Sequence, residues 1–229
     1  MLAAAMLAAS AAHAATDAAG PAAPPTPDSS SPATVRARAP DAVRYRATID
    51  APSALVPAIR GNVDLVRWQD FADMTELLLE RLVREAPAQA RAAADAEGFF
   101  SAEASVAIDR SADPIDVTLR VVPGEASRVR SVRIDVTGPA ARDVPAGIDA
   151  IARTRDGWLL GPGAVFRNRG WEAAKARAVD TMRASPYAAA TIARSLADVD
   201  PVERAADLEV GIESGPPFSI GALEVRGLE

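Results

Sequence analysis

The chain has 229 residues but no cysteine, one histidine and one lysine, and aromatic side chains make up only 4% of it. The histidine, His13, lies in a segment that we expect to be removed from the mature protein. Thiol nucleophiles, thiolate metal sites and histidine bases are therefore excluded from the mature chain. The net charge of −6 argues against general binding to nucleic acid, which requires a basic surface. We expect no cofactor, no metal site and no enzymatic activity.

The N-terminal part of the chain has two compositions that are typical of segments outside a folded core. Residues 1–14, MLAAAMLAASAAHA, form an apolar run closed by small residues, as in a secretory signal peptide. No Lys or Arg precedes this run, so either the true start lies upstream or the stretch is an Ala-rich unstructured end. Residues 15–42 are rich in Ala, Pro, Ser and Thr, which predicts a disordered linker.

Hydrophobic periodicity between residues 43 and 126 predicts the order strand, helix, helix, strand, strand. The strands are expected at residues 43–50, 99–109 and 115–124, where apolar and polar side chains alternate. Such an order is typical of a small α+β domain whose sheet is covered by helices on one face.

The two helices of this domain carry recognisable signals for their ends and for their buried faces. A short helix should present Leu55, Ile59 and Val63 on one side, with Ser53 as its N-cap. A long helix is predicted over residues 75–97, with Leu82 in the core and Gly98 as its stop. Pro87 lies inside this second helix and should kink it or divide it into two, because proline removes a backbone donor.

The same order returns between residues 127 and 216. A strand is predicted at residues 127–138, helical segments at 148–153 and 170–187, and two closing strands at 190–200 and 206–216. The second helical segment should turn Ala174, Ala178, Val179 and Met182 inward.

Two stretches, IDVTLRVVPGEASRVRSVRI and ADLEVGIESGPPFSIGALEV, superimpose without a gap at an offset of 91 residues. This register places Asp116 on Asp207 and Gly124 on Gly215. We therefore expect two tandem domains, 43–126 and 127–216, with residues 217–229 as the first strand of a truncated third copy.

Three sequence segments within this repeated order resemble POTRA domains, the periplasmic modules of outer-membrane protein assembly factors. The segments are GFFSA at residues 98–102, GPGAVFRNRGWEAAKARAVDTM at 161–182 and GPPFSIGALEVRGLE at 215–229. The second is similar to the TamA-like branch, which acts in autotransporter assembly. In the second copy, SPY at residues 185–187 departs from the Gly-aromatic-aromatic step, which leaves the end of that helix open.

The resemblance implies a fold and a function. Each domain should hold a three-stranded sheet with two helices on one face, in a non-enzymatic periplasmic scaffold at the outer membrane. The implied clients are outer-membrane β-barrel and autotransporter proteins, and the implied partner is a TamB-like protein anchored in the inner membrane. The chain leaves no room for the many strands of about 10 residues that a transmembrane barrel needs. We therefore expect either a truncated chain or an arm without a barrel.

Two other interpretations are compatible with the residues. The chain could be the POTRA arm of a general barrel-assembly factor or of a two-partner secretion transporter. It could also be an unrelated periplasmic α+β protein that binds a ligand or serves a structural role in the envelope.

Candidate binding features are confined to the sheet edges and one aromatic side chain. Unpaired edge strands can accept a guest strand, so both sheets are candidates for binding clients. Aromatic residues are expected mainly in cores and junctions, with Trp158 in RDGWLLGPG as the exposed exception. The carboxylate pairs Asp109–Asp113 and Asp198–Asp200 are interpreted as solvated turn residues.

Overall fold

The computed structural model describes residues 42–142, 144–219 and 221. The predicted signal peptide (1–14), nearly all of the predicted linker (15–42) and most of the predicted third-copy strand (217–229) lie outside these ranges. The described part of the chain contains six β-strands and five α-helices.

The first repeat has three strands and three helices. Its elements are β1 (Tyr45–Asp50), α1 (Val56–Asn62), α2 (Asp64–Arg67), α3 (Glu76–Ala96), β2 (Glu103–Asp109) and β3 (Ile115–Val122). The alternating segments form strands, as the sequence predicts. The segment expected to be one short helix is two helices, since Val63 is extended between them.

The predicted N-cap of the short helix is wrong. Helix α1 begins after Leu55, and no side chain caps it. Pro57 lies in its first turn, where the fixed φ of proline favours a helix start and its missing N–H costs nothing. The proline therefore sets the N-cap at Leu55, two residues after Ser53.

Helix α3 is one continuous helix of 21 residues, with Pro87 in its interior. The predicted division at Pro87 is therefore wrong. Proline costs roughly 3 kcal/mol inside a helix, but apolar side chains on both sides of it are buried in the same core and offset that cost. These buried residues are Leu79, Leu82, Ala86, Ala90, Ala93 and Ala94.

Both ends of α3 are closed by hydrogen bonds. At the start, the Thr75 hydroxyl accepts the Leu78 N–H at 3.3 Å. At the end, the Gly98 N–H donates to the Asp95 carbonyl at 2.9 Å, and the Phe99 N–H donates to the Ala94 carbonyl at 3.0 Å. This is the Schellman arrangement that the predicted glycine stop requires.

The second repeat has the same order. Its elements are β4 (Arg128–Thr137), a 3-10 turn (Pro139–Ala141), α4 (Pro145–Asp156), α5 (Asn168–Arg183), β5 (Thr191–Asp200) and β6 (Ala205–Glu213). Helix α5 ends at Arg183, which settles the end left open by SPY. Tyr187 is equivalent to Phe99 in the first repeat. The Tyr187 carbonyl accepts the N–H of Ala190, and the Phe99 carbonyl accepts the N–H of Ala102, in each case three residues further along the chain.

Each repeat forms its own three-stranded sheet, with strand orders β1-β3-β2 and β4-β6-β5. The last strand of the repeat is central, parallel to the first and antiparallel to the second. The sequence register is confirmed here, since Asp116 and Asp207 occupy equivalent central-strand positions. Gly124 and Gly215, superimposed by the same register, both have positive φ, at 69° and 65°.

Each sheet packs against its helices around a separate apolar core. Leu82 is 5% exposed and lies in the first core, as predicted. The four positions predicted to face inward from α5 are all buried; they are Ala174, Ala178, Val179 and Met182. The mixed α+β class with small three-stranded sheets is thus confirmed.

Candidate functional site

The backbone groups of β2 that point away from its sheet are free of protein partners in the described ranges. Ile115 donates its N–H to the Arg44 carbonyl at 2.9 Å, so odd-numbered residues of β3 face β1. Even-numbered residues of β3 then face β2, because backbone groups alternate in direction along a strand. The register leaves three residues of β2 pointing outward, namely Ala104, Val106 and Ile108.

Strand β5 has the same exposure in the second repeat. Its residues opposite the odd-numbered positions of β6 bond inward, as Asp198 does opposite Asp207. The outward residues are Ser195, Ala197 and Val199, and no other described residue bonds to their backbone groups. Both repeats therefore present an open antiparallel edge of three residues.

The opposite edge of the first sheet, formed by β1, is partly covered by its own repeat. Val43 donates its N–H to the Met74 carbonyl at 2.8 Å, just before α3. Ala47 donates its N–H to Oε1 of Gln69 at 2.8 Å. A backbone carbonyl thus occupies one outward position just before β1, and a side-chain amide occupies one on the strand itself.

Strand β4, the equivalent edge of the second sheet, is covered in the same way. The loop before α5 pairs with Val129, which donates to Ala164 at 2.9 Å and accepts from Gly163 at 2.8 Å. Further along, Nη2 of Arg155 donates to the Ile134 carbonyl at 3.1 Å. The first strand of each repeat is therefore closed at its start by a loop and later by one polar side chain.

A cleft of about 490 Å³ opens beside the uncovered part of β4. It is lined by Val132, Arg133, Ile134 and Asp135 of the strand, and by Arg155, Trp158, Gly161 and Pro162. Trp158 donates its indole N–H to the Leu160 carbonyl at 2.8 Å, and its ring lies edge-on to Trp171 with centroids 6.0 Å apart. The wall of the cleft is therefore a fixed aromatic surface.

The expectation that Trp158 is an exposed aromatic residue is wrong. Trp158 is half-buried, since its loop folds back on Trp171. Trp68 and Phe71 are 42% and 41% exposed and form an edge-on pair on the surface after α2. Phe218 is 58% exposed. The sequence alone does not show which aromatic side chains pack against another aromatic ring in the folded chain.

The two repeats meet at a close backbone contact. Gly98 accepts the Ser127 N–H at 2.8 Å, and Ser127 accepts the Phe166 N–H at 2.9 Å. Phe100 packs on Phe166 with ring centroids 5.9 Å apart. A side chain at Gly98 would meet the Phe166 carbonyl oxygen at 2.2 Å from its Cβ. The GFFSA segment therefore serves the junction between the repeats.

Charged side chains border this junction. Nε of Arg167 and Nη2 of Arg169 lie 3.6 Å and 3.5 Å from the Glu97 carboxylate. The Arg167 Nε is buried and donates a hydrogen bond to none of the described residues. These contacts extend the junction beyond its backbone hydrogen bonds.

The predicted turn carboxylates are solvated and locally bonded. Asp109 accepts from the hydroxyl and N–H of Ser111, which lowers the pKa of its carboxyl. Asp113 pairs with Arg44 at 3.0 Å, and Asp200 accepts the N–H of Val202 at 2.8 Å. Asp198 is exposed on β5. Asp109 and Asp200 support local turns, and Asp113 forms a surface ion pair. Asp198 lies within β5, so its assignment to a turn is wrong.

The described residues bring no carboxylate cluster together that could hold a metal ion. None of the helices in the described ranges combines the length and apolar composition that crossing a membrane requires.

The sequence singled out the sheet edges but missed Gln69 and Arg155, the side chains that cover two of them. Both belong to ordinary polar segments, and only the folded structure shows that Gln69 reaches the Ala47 N–H and Arg155 the Ile134 carbonyl. A long polar side chain in the connection between the first strand and the long helix was the single available signal.

Comparison with known proteins gives structural neighbours only. No protein-family model and no curated protein sequence matches the chain. The BamA POTRA3-5 structure from Haemophilus influenzae aligns with 76% of this chain and 66% of that chain, at 14% identity and a TM-score of 0.38. BamA from Haemophilus ducreyi lacking POTRA domains 1-3 aligns with 76% of this chain and 29% of that chain, at 16% identity and 0.39.

A third neighbour is the N-terminal domain of Omp85 from Thermosynechococcus elongatus. It aligns with 75% of this chain and 63% of that chain, at 14% identity and a TM-score of 0.36. The chain thus spans less than two thirds of the length of each of these three structures.

Proposed function

We propose that this chain is a POTRA-type arm of an outer-membrane protein assembly factor. It is a periplasmic, non-enzymatic scaffold that binds extended client segments by strand addition. The observation that carries this proposal is the repeated open edge: β2 and β5 each present three outward residues without a partner in the described chain. The edges of β1 and β4 are instead partly covered by their own repeats.

Strand addition suits a scaffold that receives many different clients. Backbone hydrogen bonds supply the affinity, and they are the same for every client sequence. The side chains on the solvent side of β2 are small or acidic; they are Glu103, Ser105, Ala107 and Asp109. Charged side chains at an edge discourage self-association of identical chains while leaving the edge accessible to a mobile segment.

The clients that we propose are outer-membrane β-barrel and autotransporter proteins, with a TamB-like inner-membrane-anchored protein as partner. The TamA-like branch is favoured by the Gly-Pro-Gly to Trp171 segment, in which Phe166 lies at the junction and Trp171 in the second core. The alternatives are an arm of a general barrel-assembly factor or of a two-partner secretion transporter.

Amide hydrogen exchange with a client-like peptide tests this function. A Thr/Val-rich decapeptide that is extended in solution should slow exchange at the outward amides of β2 and β5. The amides of Ser105, Ala107 and Asp198 already face the central strands and should not change. Absence of new protection on either edge would refute strand addition and favour an unrelated periplasmic ligand-binding or envelope protein.

A pair of variants at Ser195 isolates the backbone contribution. Ser195→Pro removes an outward N–H and no hydrogen bond to β6, so peptide binding at β5 should weaken about threefold to tenfold. Ser195→Val keeps the N–H and serves as the matched control. Equal weakening by both substitutions would show that the side chain, not the edge, contacts the peptide.

A further inference from the structure

We propose that the cleft beside β4 binds an extended polypeptide segment that carries an apolar side chain and, two residues away, a carboxylate. On binding, Arg155 changes partner from the Ile134 carbonyl to that carboxylate. This inference rests on the proposed function and assigns one edge a sequence preference that β2 and β5 lack.

The outward groups of β4 leave a short binding edge between its two covered positions. Val129 is paired with the loop at Gly163 and Ala164, and the register shift after Val129 places Arg130 in a bulge. Alternation beyond the bulge directs Val132, Ile134 and Val136 outward.

The backbone of Val132 has no hydrogen bond from a described residue on that side. A guest strand can therefore pair with Val132 at once, but it requires Arg155 to release the Ile134 carbonyl.

The cleft has the dimensions of a short extended segment. Its strand side runs from Val132 to Asp135, which is roughly 10 Å of chain at about 3.3 Å per residue. The other side is the loop containing Trp158, Gly161 and Pro162. No atom lies within 4 Å of a Cβ placed at Gly161, so this wall leaves room for a guest side chain.

The order of the lining residues sets the order of side chains in the guest. The loop that pairs with Val129 continues from Trp158, so the aromatic surface lies toward the beginning of β4 and near Val132. Arg155 lies further along, at Ile134. Residues opposite each other in adjacent strands share one face of the sheet. An apolar guest residue opposite Val132 therefore meets Trp158, and the residue opposite Ile134 meets Arg155.

The charge of the cleft favours a carboxylate at the second position. Arg155 is exposed and forms no ion pair with a carboxylate in the described ranges. Arg133 and Asp135 also line the cleft, but their opposite charges lie on the other face of β4 from Val132 and Ile134. The present acceptor of Arg155 is a neutral carbonyl, whereas a carboxylate carries the opposite charge and can accept two parallel N–H bonds from a guanidinium. A guest carboxylate thus offers Arg155 a better acceptor as the guest backbone takes over the edge.

Fluorescence anisotropy with labelled peptides tests the side-chain preference. The probe is Thr-Val-Phe-Thr-Glu-Val-Thr, compared with its Glu→Gln form and with the reversed order Thr-Val-Glu-Thr-Phe-Val-Thr. Because the guest direction selects one order, one of the two acidic peptides should bind about threefold to tenfold more tightly than its Gln form. Arg155→Gln should abolish that preference. Arg153→Gln, on the same helix but outside the cleft lining, should retain it.

Hydrogen exchange locates the same peptide on the sheet. The amides of Val132 and Ile134 should gain protection, whereas those of Arg133 and Asp135 already face β6 and should not change. Equal binding of the Glu and Gln forms would overturn the inference, as would protection confined to β2 and β5. The latter result would leave the proposed function standing, and no protection on any edge would refute both. Protection of Val132 that grows with protein concentration alone would assign the cleft to a second copy of the chain, which also overturns the inference.

Discussion

Replacing Gly98 with alanine should weaken the junction between the two repeats more than any other glycine substitution with the same backbone strain. Gly98 has a φ of 97°, in the region that favours glycine. A Cβ there would lie 2.2 Å from the Phe166 carbonyl oxygen and 3.3 Å from Cγ1 of Val165. The first of these atoms is backbone, so the clash cannot be relieved by rotating a side chain.

The expected cost has two parts. Holding a non-glycine residue at positive φ costs roughly 1–3 kcal/mol, and forcing an extra methyl group into a filled site costs roughly 1–3 kcal/mol more. Gly98→Ala should therefore reduce the free energy of unfolding by about 2–6 kcal/mol. Gly163→Ala is the matched control, because Gly163 has a φ of 86° but no atom within 4 Å of the added Cβ. It should show the first part alone.

Urea denaturation of both variants, with hydrogen exchange at the junction, measures the difference. The Ser127 amide, which donates to the Gly98 carbonyl at 2.8 Å, should exchange faster in Gly98→Ala and at the normal rate in Gly163→Ala. If the two variants lose equal stability and Ser127 stays protected, the Phe166 carbonyl is not held against Gly98. The close contact between the repeats would then be disproved.

Two further predictions concern single side chains. Leu82→Ala removes a side chain that is 5% exposed in the first core, so it should cost roughly 2–5 kcal/mol in urea unfolding; an unchanged midpoint would contradict the burial of α3. Hydrogen bonds from Arg130 and Ser131 lower the pKa of Asp207 from 3.8 to about 2. Its contribution to stability is therefore full above pH 3.8 and is lost as pH falls through about 2. The difference in unfolding midpoint between the wild type and Asp207→Asn should narrow over that range; an unchanged difference would contradict these hydrogen bonds.

The sequence predicted those features of the fold that depend on local periodicity. Alternation located all six strands, and the spacing of apolar residues placed Leu82 and Met182 in the cores, because burial of one face requires that spacing. The register that superimposes Asp116 on Asp207 is confirmed, because both residues lie on the central strand of the same fold.

Features that depend on a partner distant in sequence could not be predicted. Pro87 is tolerated because residues on both sides of it pack against the same sheet, and a proline rule applied to the helix alone omits that packing. Trp158 is half-buried because Trp171 lies beside it. The contact of Arg155 with the Ile134 carbonyl depends on which strand is at the edge, and that is a property of topology. The sequence predicted that both sheets have edge strands, but not which positions on those strands are covered.

The strand order has a consequence for how each repeat is assembled from its N-terminus. In both sheets the last strand of the repeat lies in the centre, and the first two strands are not neighbours. Strand β1 therefore pairs only with a strand about 70 residues further along the chain, as Tyr45 does with Ile115. By contrast, β2 and β3 can pair as soon as the short turn between them closes.

Non-local pairing of this kind is slow compared with closing a hairpin. A chain that ends before β3 or β6 retains no sheet in that repeat, rather than a smaller one, because neither outer strand can pair with the other. The sheet of each repeat therefore forms only when the last strand of that repeat is present.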